Sequence, residues 1–534
     1  MKGSTTLRLV IALLAIFGAT VVALAPASAQ EQVFRYPFRE PDHPIDPTKG
    51  GTLFNGHYMA NLFEGLAEPA PGGKIAWLGA TGHEVQDGGR RHVFTLRRGV
   101  KWSDGTPVTA HDYEFAWRRA LDPKNANINV SNLYALKNGR DYNHGTLKDA
   151  SQVGVRAKDD LTLEVTLEGP TGWFLGAVAN DTVWFPVPRH LVTKHGDKWT
   201  EAENIATNGP FTIQSWRHDQ QMVLVANPHY WREKPTVRVV VSMTNDPAST
   251  SLNAYETGEV DWAWAPLPQL NQLRNHPVLS KQLHVATQTA TWFTVFDVTT
   301  PPFNDVRVRR AFYLTLDRQR LTQSFLQGAY RPATSLTPPG MPGYTTNLPM
   351  GGGVQEAKRL MAEAGFPEGK GFPEVTYTTP NLTEDKIVAE ALQQMWKEAL
   401  GVSVKIELLE RRGFQSWRTA RKTQPYHMHY GGWTALFGDP SIFHNGMLTA
   451  QFDRQNHKWK NAKYEDLIAR GAAELDPQKR HALYEEAERV VAEEAPVIPW
   501  GYKTKPYLIK PNVQGFEVAP NGWVDLFRKV KIGR

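Results

Sequence analysis

The 534-residue sequence contains no cysteine. That absence excludes disulfides, thiolate metal sites and a lipid anchored on a cysteine behind an export signal. After the first 24 residues no apolar run reaches the length of about 20 residues that a bilayer span needs. There is no repeat of solenoid period and no low-complexity tract. Charge of neither sign is concentrated. Sixty Lys and Arg stand against 54 Asp and Glu, and the densest basic groups are only Arg411-Arg412 and Arg418, Arg421 and Lys422. A nucleic-acid footprint is therefore not expected. G-x-S-x-G, H-E-x-x-H and the phosphate-cradling P-loop are missing too. His83-Glu84 is followed by Val85-Gln86-Asp87, so the zinc-protease pattern fails at its second histidine.

What is present begins with an export signal. Lys2 and Arg8 give a positive start, Leu9 to Leu24 is nearly all apolar, and Ala27-Ser28-Ala29 fits the small-x-small cleavage rule. Residues 1–29 read as a cleaved signal peptide with Gln30 as the first mature residue. The competing reading, a membrane anchor, is disfavoured by the short apolar run, by Gly18 and Thr20 within it and by Pro26 after it. Removal of Lys2 and Arg8 leaves a weak net charge near +4. The remainder, about 500 residues, is too long for one core, so two or three domains are expected. Seventeen tryptophans are either simply those of a large core or include some that grip a ligand. Most belong to a large core, and their flat faces suit grip on a ligand.

Local patterns fix many elements. Phe94-Thr95-Leu96 alternates as a strand, and Asp104-Gly105-Thr106-Pro107 is a turn. Thr109 with Asp112 has the form of a capping box, opening a helix whose Tyr113, Ala116, Trp117 and Ala120 share a face. Strands are expected at Leu161–Leu167 and Met222–Ala226. Residues up to about 60 read as irregular, with a turn at Ile45-Asp46-Pro47, and residues 180–285 read as strand-rich. Asn304 and Asp317 are placed as caps of helices ending at Leu316 and Gly328. A strand from Val375, a helix over Thr383–Leu400 stopped by Gly401, and a strand through Val402, Val404, Ile406 and Leu408 form a βαβ unit. Helices follow at Tyr464–Glu474 and Pro477–Glu494, then strands near Val497–Tyr502 and Tyr507–Ile509.

The string FTLRRGVKWSDGTPVTAHDYEFAWRRALDP (Phe94 to Pro123) closely resembles the signature segment of bacterial extracellular solute-binding proteins of family 5. Other blocks are similar to the oligopeptide-binding branch in particular. They are Gly196–Thr200, Asn204-Ile205, Thr207-Asn208-Gly209-Pro210-Phe211, Asn227-Pro228-His229-Tyr230-Trp231, Gly258–Asp261, Pro302–Arg309 and Ala357–Gly365. Each is weak alone, but they run in the same order from about residue 61 to 510.

The resemblance implies an α/β, two-lobed periplasmic binding protein (class II, cluster C type). One lobe would carry an extra domain, and a hinged cleft would close on the ligand. Residues 30–60, 180–285 and 505–534 would form the core of lobe 1, 61–179 its extra domain and 286–504 lobe 2. Hinges would lie near 283–288 and 500–506. It also implies no catalysis and no cofactor. The expected protein is a periplasmic monomer without stable membrane insertion that captures a peptide or peptide-like ligand and delivers it to an inner-membrane ABC permease.

In the peptide branch the ligand lies as an added strand, held by main-chain bonds. The stretch resembling that ladder is Gly431-Gly432-Trp433-Thr434, with Trp433 as a stacking face. The alternative is a strand end with two glycines for a bulge. Three positions past Trp433 the branch has an aspartate that pairs with the ligand's α-amino group, and this chain has Leu436. Tyr430 stands where relatives carry a basic residue, whereas Arg421 matches a second basic position. Asn132 is placed facing the cleft from the other lobe. Asp439 beside Pro440 reads as a helix start rather than a substitute acid. His427 and His429 share a strand face, but no third ligand is recognisable and no metal is expected. A buried ammonium without its counter-ion costs several kcal/mol, roughly, so the site points to a ligand with a blocked or neutral end. A non-peptide solute such as an oligosaccharide, a modified peptide or a metal chelator is the competing ligand class. A secreted hydrolase using carboxylates is the competing function, and a sensor or chaperone role is a third.

Overall fold

The computed structural model describes residues 32–70, 74–244, 247–341, 343–348, 351–435, 437–450, 453–519, 521–522 and 524–533. The signal-peptide reading and Leu436 lie outside the described residues.

The chain opens with β1 (Gln32–Phe38), whose Phe34, Tyr36 and Phe38 all point into the core. A helix over Leu53–Leu62 follows, begun by Thr52. The strand and the helix lie in a stretch expected to be irregular, and the alternation in QVFRYPF was the missed signal; between them residues 39–52 are irregular apart from the short turn Pro47–Lys49, which Asp46 caps. A hairpin of β2 (Ala67–Ala70) and β3 (Lys74–Trp77) leads to β4 (Ala80–Gln86), β5 (Arg91–Leu96), β6 (Val155–Asp159) and β7 (Thr162–Thr166). These last four form a sheet in the order β4-β5-β7-β6, covered by the helix Ala110–Leu121. Thr109 and Asp112 make the expected capping box at its start, and Trp117 Nε1 donates to Trp184 O at 2.9 Å.

Next come β8 (Phe211–Arg217), β9 (Gln221–Ala226) and β10 (Val237–Met243). They join β1 in a second four-stranded sheet, β1-β10-β9-β8, with β1 parallel to β10. Residues 247–281 are mostly not strand. They hold helices at Pro247–Glu256 and Leu270–Asn275 around the short β11 (Trp262–Trp264).

The third sheet has seven strands. To β11 it adds β12 (Leu283–Phe296), β13 (Tyr330–Pro332), β14 (Val375–Pro380), β15 (Val404–Leu409), β16 (Met428–Thr434) and β17 (Val497–Ile509). The order is β11-β17-β12-β16-β14-β15, with β13 on β17. The βαβ unit is as expected: β14 and β15 pair in parallel, and the helix Thr383–Leu400 ends at Gly401, φ +71°. Gly401 suits that left-handed cap. The two expected C-terminal strands are one continuous strand, β17. Asp305, not Asn304, caps the helix Val306–Leu314, its carboxylate accepting from Arg307 N at 2.8 Å. Asp317 caps only a short turn, Arg318–Arg320, which runs into a wider turn over Leu321–Phe325.

β12 and β17 are the longest strands, and both run through the middle of the molecule. Their ladder joins Leu283–Thr287 to Thr504–Leu508 and resumes at Thr291. In the gap, Thr289 N donates to Asn521 O at 3.0 Å. The C-terminal segment is pinned to β17 by a fully buried ion pair, Lys505 Nζ to Asp525 Oδ1 at 2.6 Å. Tyr36 Oη donates to the other oxygen of the same carboxylate. Trp262 and Trp264 stack against the lysine head. Burial pushes the Asp525 carboxyl up and the Lys505 ammonium down, and their mutual attraction opposes both.

Candidate functional site

A cavity of about 650 Å³ is lined by residues of 51–78, 179–185 and 517–529. Its floor is built from the segments that the sequence motifs mark. Glu64 is the organising residue. Its carboxylate accepts from Tyr230 Oη and from Trp231 Nε1 at 2.8 Å. Its main chain exchanges both bonds with the Asn208 amide, at 3.0 and 2.8 Å. Asn227 Nδ2 donates to Thr207 O and Gly209 O, and Gly209 N donates to Leu62 O. Residues 61–66 and the blocks at 207–211 and 227–231 therefore meet at one place. Cβ atoms at Gly209 would lie 2.7–2.8 Å from the Leu62–Phe63 backbone, so that glycine permits the contact. Burial raises the Glu64 carboxyl, and the bonds from Tyr230 and Trp231 oppose the rise.

The rest of this wall carries paired charges on an apolar lining. Arg232 reaches Glu68 at 3.2 Å, Arg528 reaches Glu68 at 2.8 Å, and Lys529 reaches Glu517 at 2.7 Å. Asp181 also lines the cavity. It accepts from Asn132 Nδ2 at 2.6 Å and from Val183 N at 3.2 Å. Burial pushes its carboxyl up to about 6, opposed by those bonds.

The second wall is the end of β16, which does not itself line the cavity. Ala435 N donates to Thr289 O at 2.8 Å, and Thr289 is bonded to Asn521, which lines the cavity. β16 pairs with β12 from Met428 to Thr434. Its ladder to β14 ends at His429 among the described residues. Tyr430 to Thr434 are therefore paired on one side only.

Both glycines of this stretch are demanded by cross-strand packing. Gly431 lies opposite Phe293 and Gly432 opposite Trp292. A Cβ at Gly431 would come within 2.5 Å of the Phe293 ring, and one at Gly432 within 2.9 Å of the Trp292 indole. Tyr430 Oη accepts from Trp292 Nε1 and bonds Asp385. Burial and then Glu384 push the Asp385 carboxyl up to about 7. Trp433 is half-buried; the Arg454 guanidinium sits 5.6 Å from its ring centroid.

The expected site residues are thus only partly brought together. Tyr430, Gly431, Gly432, Trp433 and Thr434 form one continuous edge. Asn132 lies on a separate segment, where it is bonded to Asp181 of the cavity lining. Arg421 is turned aside: it donates to Gln424 Oε1 and Pro425 O at 3.0 and 3.1 Å and stacks 4.9 Å over Trp417. Asp439 is engaged as structure, in an ion pair with Arg480 and accepting from Ser441 N at 2.9 Å. His429 is wholly buried between the carbonyls of Tyr430 and Gln455, at 2.7 and 2.9 Å. His427 Nδ1 accepts from Thr376 N at 3.2 Å. Sequence reasoning missed the first wall almost entirely, including Glu64, Glu68, Arg232, Asn521 and Arg528, and missed Arg454 on the second.

The two walls touch. Arg454 Nη2 donates to Ser131 Oγ at 2.6 Å. Gly172 N donates to Ala472 O at 3.1 Å, and Trp173 stacks on Phe437 with ring centroids 5.8 Å apart. The cleft is therefore bridged along its rim by residues 131–173 from one side and 437–472 from the other.

Comparison with known proteins agrees with this architecture. The profile of the bacterial extracellular solute-binding proteins, family 5 Middle, matches residues 74–454. The chain is 35% identical to the probable deoxycholate-binding periplasmic protein YgiS of Escherichia coli, over 94% of this chain and 93% of that one. It is 33% identical to the periplasmic oligopeptide-binding protein OppA of Salmonella typhimurium, over 88% and 87%. The solved structure of the Escherichia coli murein tripeptide binding protein MppA superposes with a TM-score of 0.79 at 28% identity, covering 95% of this chain and 99% of that one. The chain belongs to the family 5 bacterial extracellular solute-binding proteins. It has their two-lobed α/β fold, and like them it is a non-catalytic receptor of ABC import. Among the described residues no helix is long and apolar enough to cross a membrane.

Proposed function

We propose that this protein is a periplasmic receptor that closes its two walls on a peptide-like solute and hands it to an ABC permease. The observation that carries the reading is the one-sided edge of β16 over Tyr430–Thr434, tied through Ala435 and Thr289 to Asn521 of the cavity lining. Unpaired main-chain donors and acceptors on a sheet edge bind an extended ligand without regard to its side chains. The apolar lining supplies burial, at roughly 25 cal/mol per Å². On this reading the lobes would divide as the family resemblance implies, with the bend at the interrupted ladder of β12 and β17, where Gln288 and Thr289 bond to Gly522 and Asn521 instead.

A second reading keeps the fold and changes the ligand. Leu436 and Tyr430 remove an acid and a base from the peptide pattern, and one relative is named for a bile acid. An amphipathic solute without an α-amino group fits that chemistry.

The test is native mass spectrometry of protein purified gently from its own periplasm, with the ligand released and fragmented. Free-amino peptides would support the first reading. A blocked peptide or a steroid acid would support the second. Protein that carries no solute, with solute uptake unchanged on deletion of the gene, would refute both.

A further inference from the structure

We infer that the cavity is a pocket for a bulky, uncharged, apolar group of the ligand, and that Gly56 leaves the space into which that group fits. The inference rests on the receptor reading above and names the ligand chemistry of that same site.

Size and lining come first. An apolar cavity of about 150 Å³ admits benzene, and this one, at about 650 Å³, is roughly four times larger. That volume lies within the usual range of small-molecule pockets. Ala60, Ala76, Val518 and Leu526 line it, and all four are half-exposed, so a solute can reach their hydrocarbon surface. Burying that surface is favourable in itself.

Gly56 is an independent observation. It lies inside the helix Leu53–Leu62 and lines the cavity. Its φ is not positive, and a Cβ there would meet nothing within 4 Å among the described residues. Neither the backbone nor the packing demands a glycine, and only proline is a poorer helix former. Ala60, also in the lining, follows one turn later on the same face. The helix thus turns two of the smallest residues toward the cavity, and the room a larger side chain would fill stays open to a solute.

The charges decide what kind of group enters. Glu68 is held by Arg232 and Arg528 at 3.2 and 2.8 Å, and Glu517 by Lys529 at 2.7 Å. Glu64 accepts from Tyr230 and Trp231, and Asp181 from Asn132 and Val183. Arg528 Nε makes no hydrogen bond, but it is buried and lies 4.0 Å from Glu517 Oε2. The cations of the lining are therefore matched by its own acids. A charge carried in by the ligand would find its opposite already engaged, and an unmatched buried charge is costly. An uncharged apolar group meets no such cost.

The experiment titrates the protein, dialysed free of bound solute, with N-phenyl-1-naphthylamine, a neutral probe that fluoresces in apolar surroundings. Its partner is 8-anilino-1-naphthalenesulfonate, the same frame with one negative charge. The wild type is expected to take up one neutral probe per molecule, about tenfold or more tighter than the sulfonate. Gly56→Leu fills the open position and should weaken the neutral probe about tenfold or more, with an unfolding midpoint level or raised. Gly56→Ala should raise the midpoint and keep most of the affinity. Val518→Thr exchanges a methyl for a hydroxyl at nearly constant shape and should weaken the probe about fivefold; it decides the matter if Gly56→Leu folds poorly. Absence of saturable uptake by the wild type overturns the proposal. So does a sulfonate that binds as tightly as the neutral probe, or an affinity unchanged in both Gly56→Leu and Val518→Thr. In each of those cases a co-purified solute still upholds the receptor reading. Probe uptake by a protein that carries no solute from its periplasm, with solute uptake unchanged on deletion of the gene, refutes the receptor reading and with it the assignment of this pocket to a cargo.

Discussion

Gly431→Ala tests why two glycines stand in β16. A Cβ at Gly431 would lie 2.5 Å from Phe293 Cε2 and 2.7 Å from Val295 Cγ2, and both of those side chains are wholly buried. Carbon atoms rest about 3.5–4.0 Å apart, so the phenyl ring must retreat by about 1 Å. An interior packed like an organic crystal has no room for that retreat, and overpacking of this kind costs roughly 1–3 kcal/mol. Neither glycine has a positive φ. Alanine is therefore compatible with the backbone and returns about 0.4–1 kcal/mol through the unfolded state. The net expectation is a loss of about 1–2 kcal/mol at Gly431. Gly432→Ala should cost less, because the Trp292 indole it meets is only partly buried and can tilt. The assay is urea unfolding, read as a lower midpoint at constant slope. Phe293→Leu in the Gly431→Ala background should recover about 1 kcal/mol, as expected of side chains in contact. Unchanged stability together with loss of ligand binding would refute the packing argument and make the glycine a clearance for ligand.

Lys505→Met leaves Asp525 buried without its counter-charge and should cost about 3–5 kcal/mol; Asp525→Asn in that background should recover part of it, and a Lys505→Met protein as stable as wild type would refute the pinning role. Asp385 is expected to make stability depend on pH. Its carboxyl is held up to about 7 in the folded protein against 3.8 ordinarily, so the native state binds the extra proton and the stabilisation is lost as pH rises from about 4 to 7. The upper bound is about 4 kcal/mol. Asp385→Asn should flatten that fall, and an unchanged stability–pH curve would show that Asp385 titrates normally. Leu436→Asp should improve binding of free-amino peptides about tenfold or more while leaving N-acetyl peptides unimproved; equal gains for both, or none, would mean that the acid position does not set specificity.

Elements whose signals are local were legible in the sequence. The helices Thr383–Leu400 and Pro477–Glu494 have the bounds their apolar periods imply, the first stopped by Gly401 and the second opened by Asp476. The capping box of Thr109 and Asp112 forms as its spacing requires. Elements that depend on a distant partner were not. β1 is a strand because β10, two hundred residues later, offers it a parallel edge. The chain of Val497–Ile509 is one strand because β12 lies along nearly all of it, overriding Gly501 and Pro506. Asn304 and Asp305 are equal as caps on paper, and the tertiary path of the chain chose Asp305.

The same division runs through the site. The family, the α/β character and the lack of thiol chemistry were legible in residue identities and short spacings alone, and so was the strand that carries Tyr430–Thr434. Only the tertiary structure decided what those residues do. It put Phe293 and Trp292 across from the two glycines, turned Arg421 into its own loop, and committed Asp439 to Arg480. It also brought Arg454 to Ser131, 323 positions away, and onto Trp433. A contact of that sequence separation has no local signature, since it exists only after two walls folded from separate stretches of chain have closed on each other.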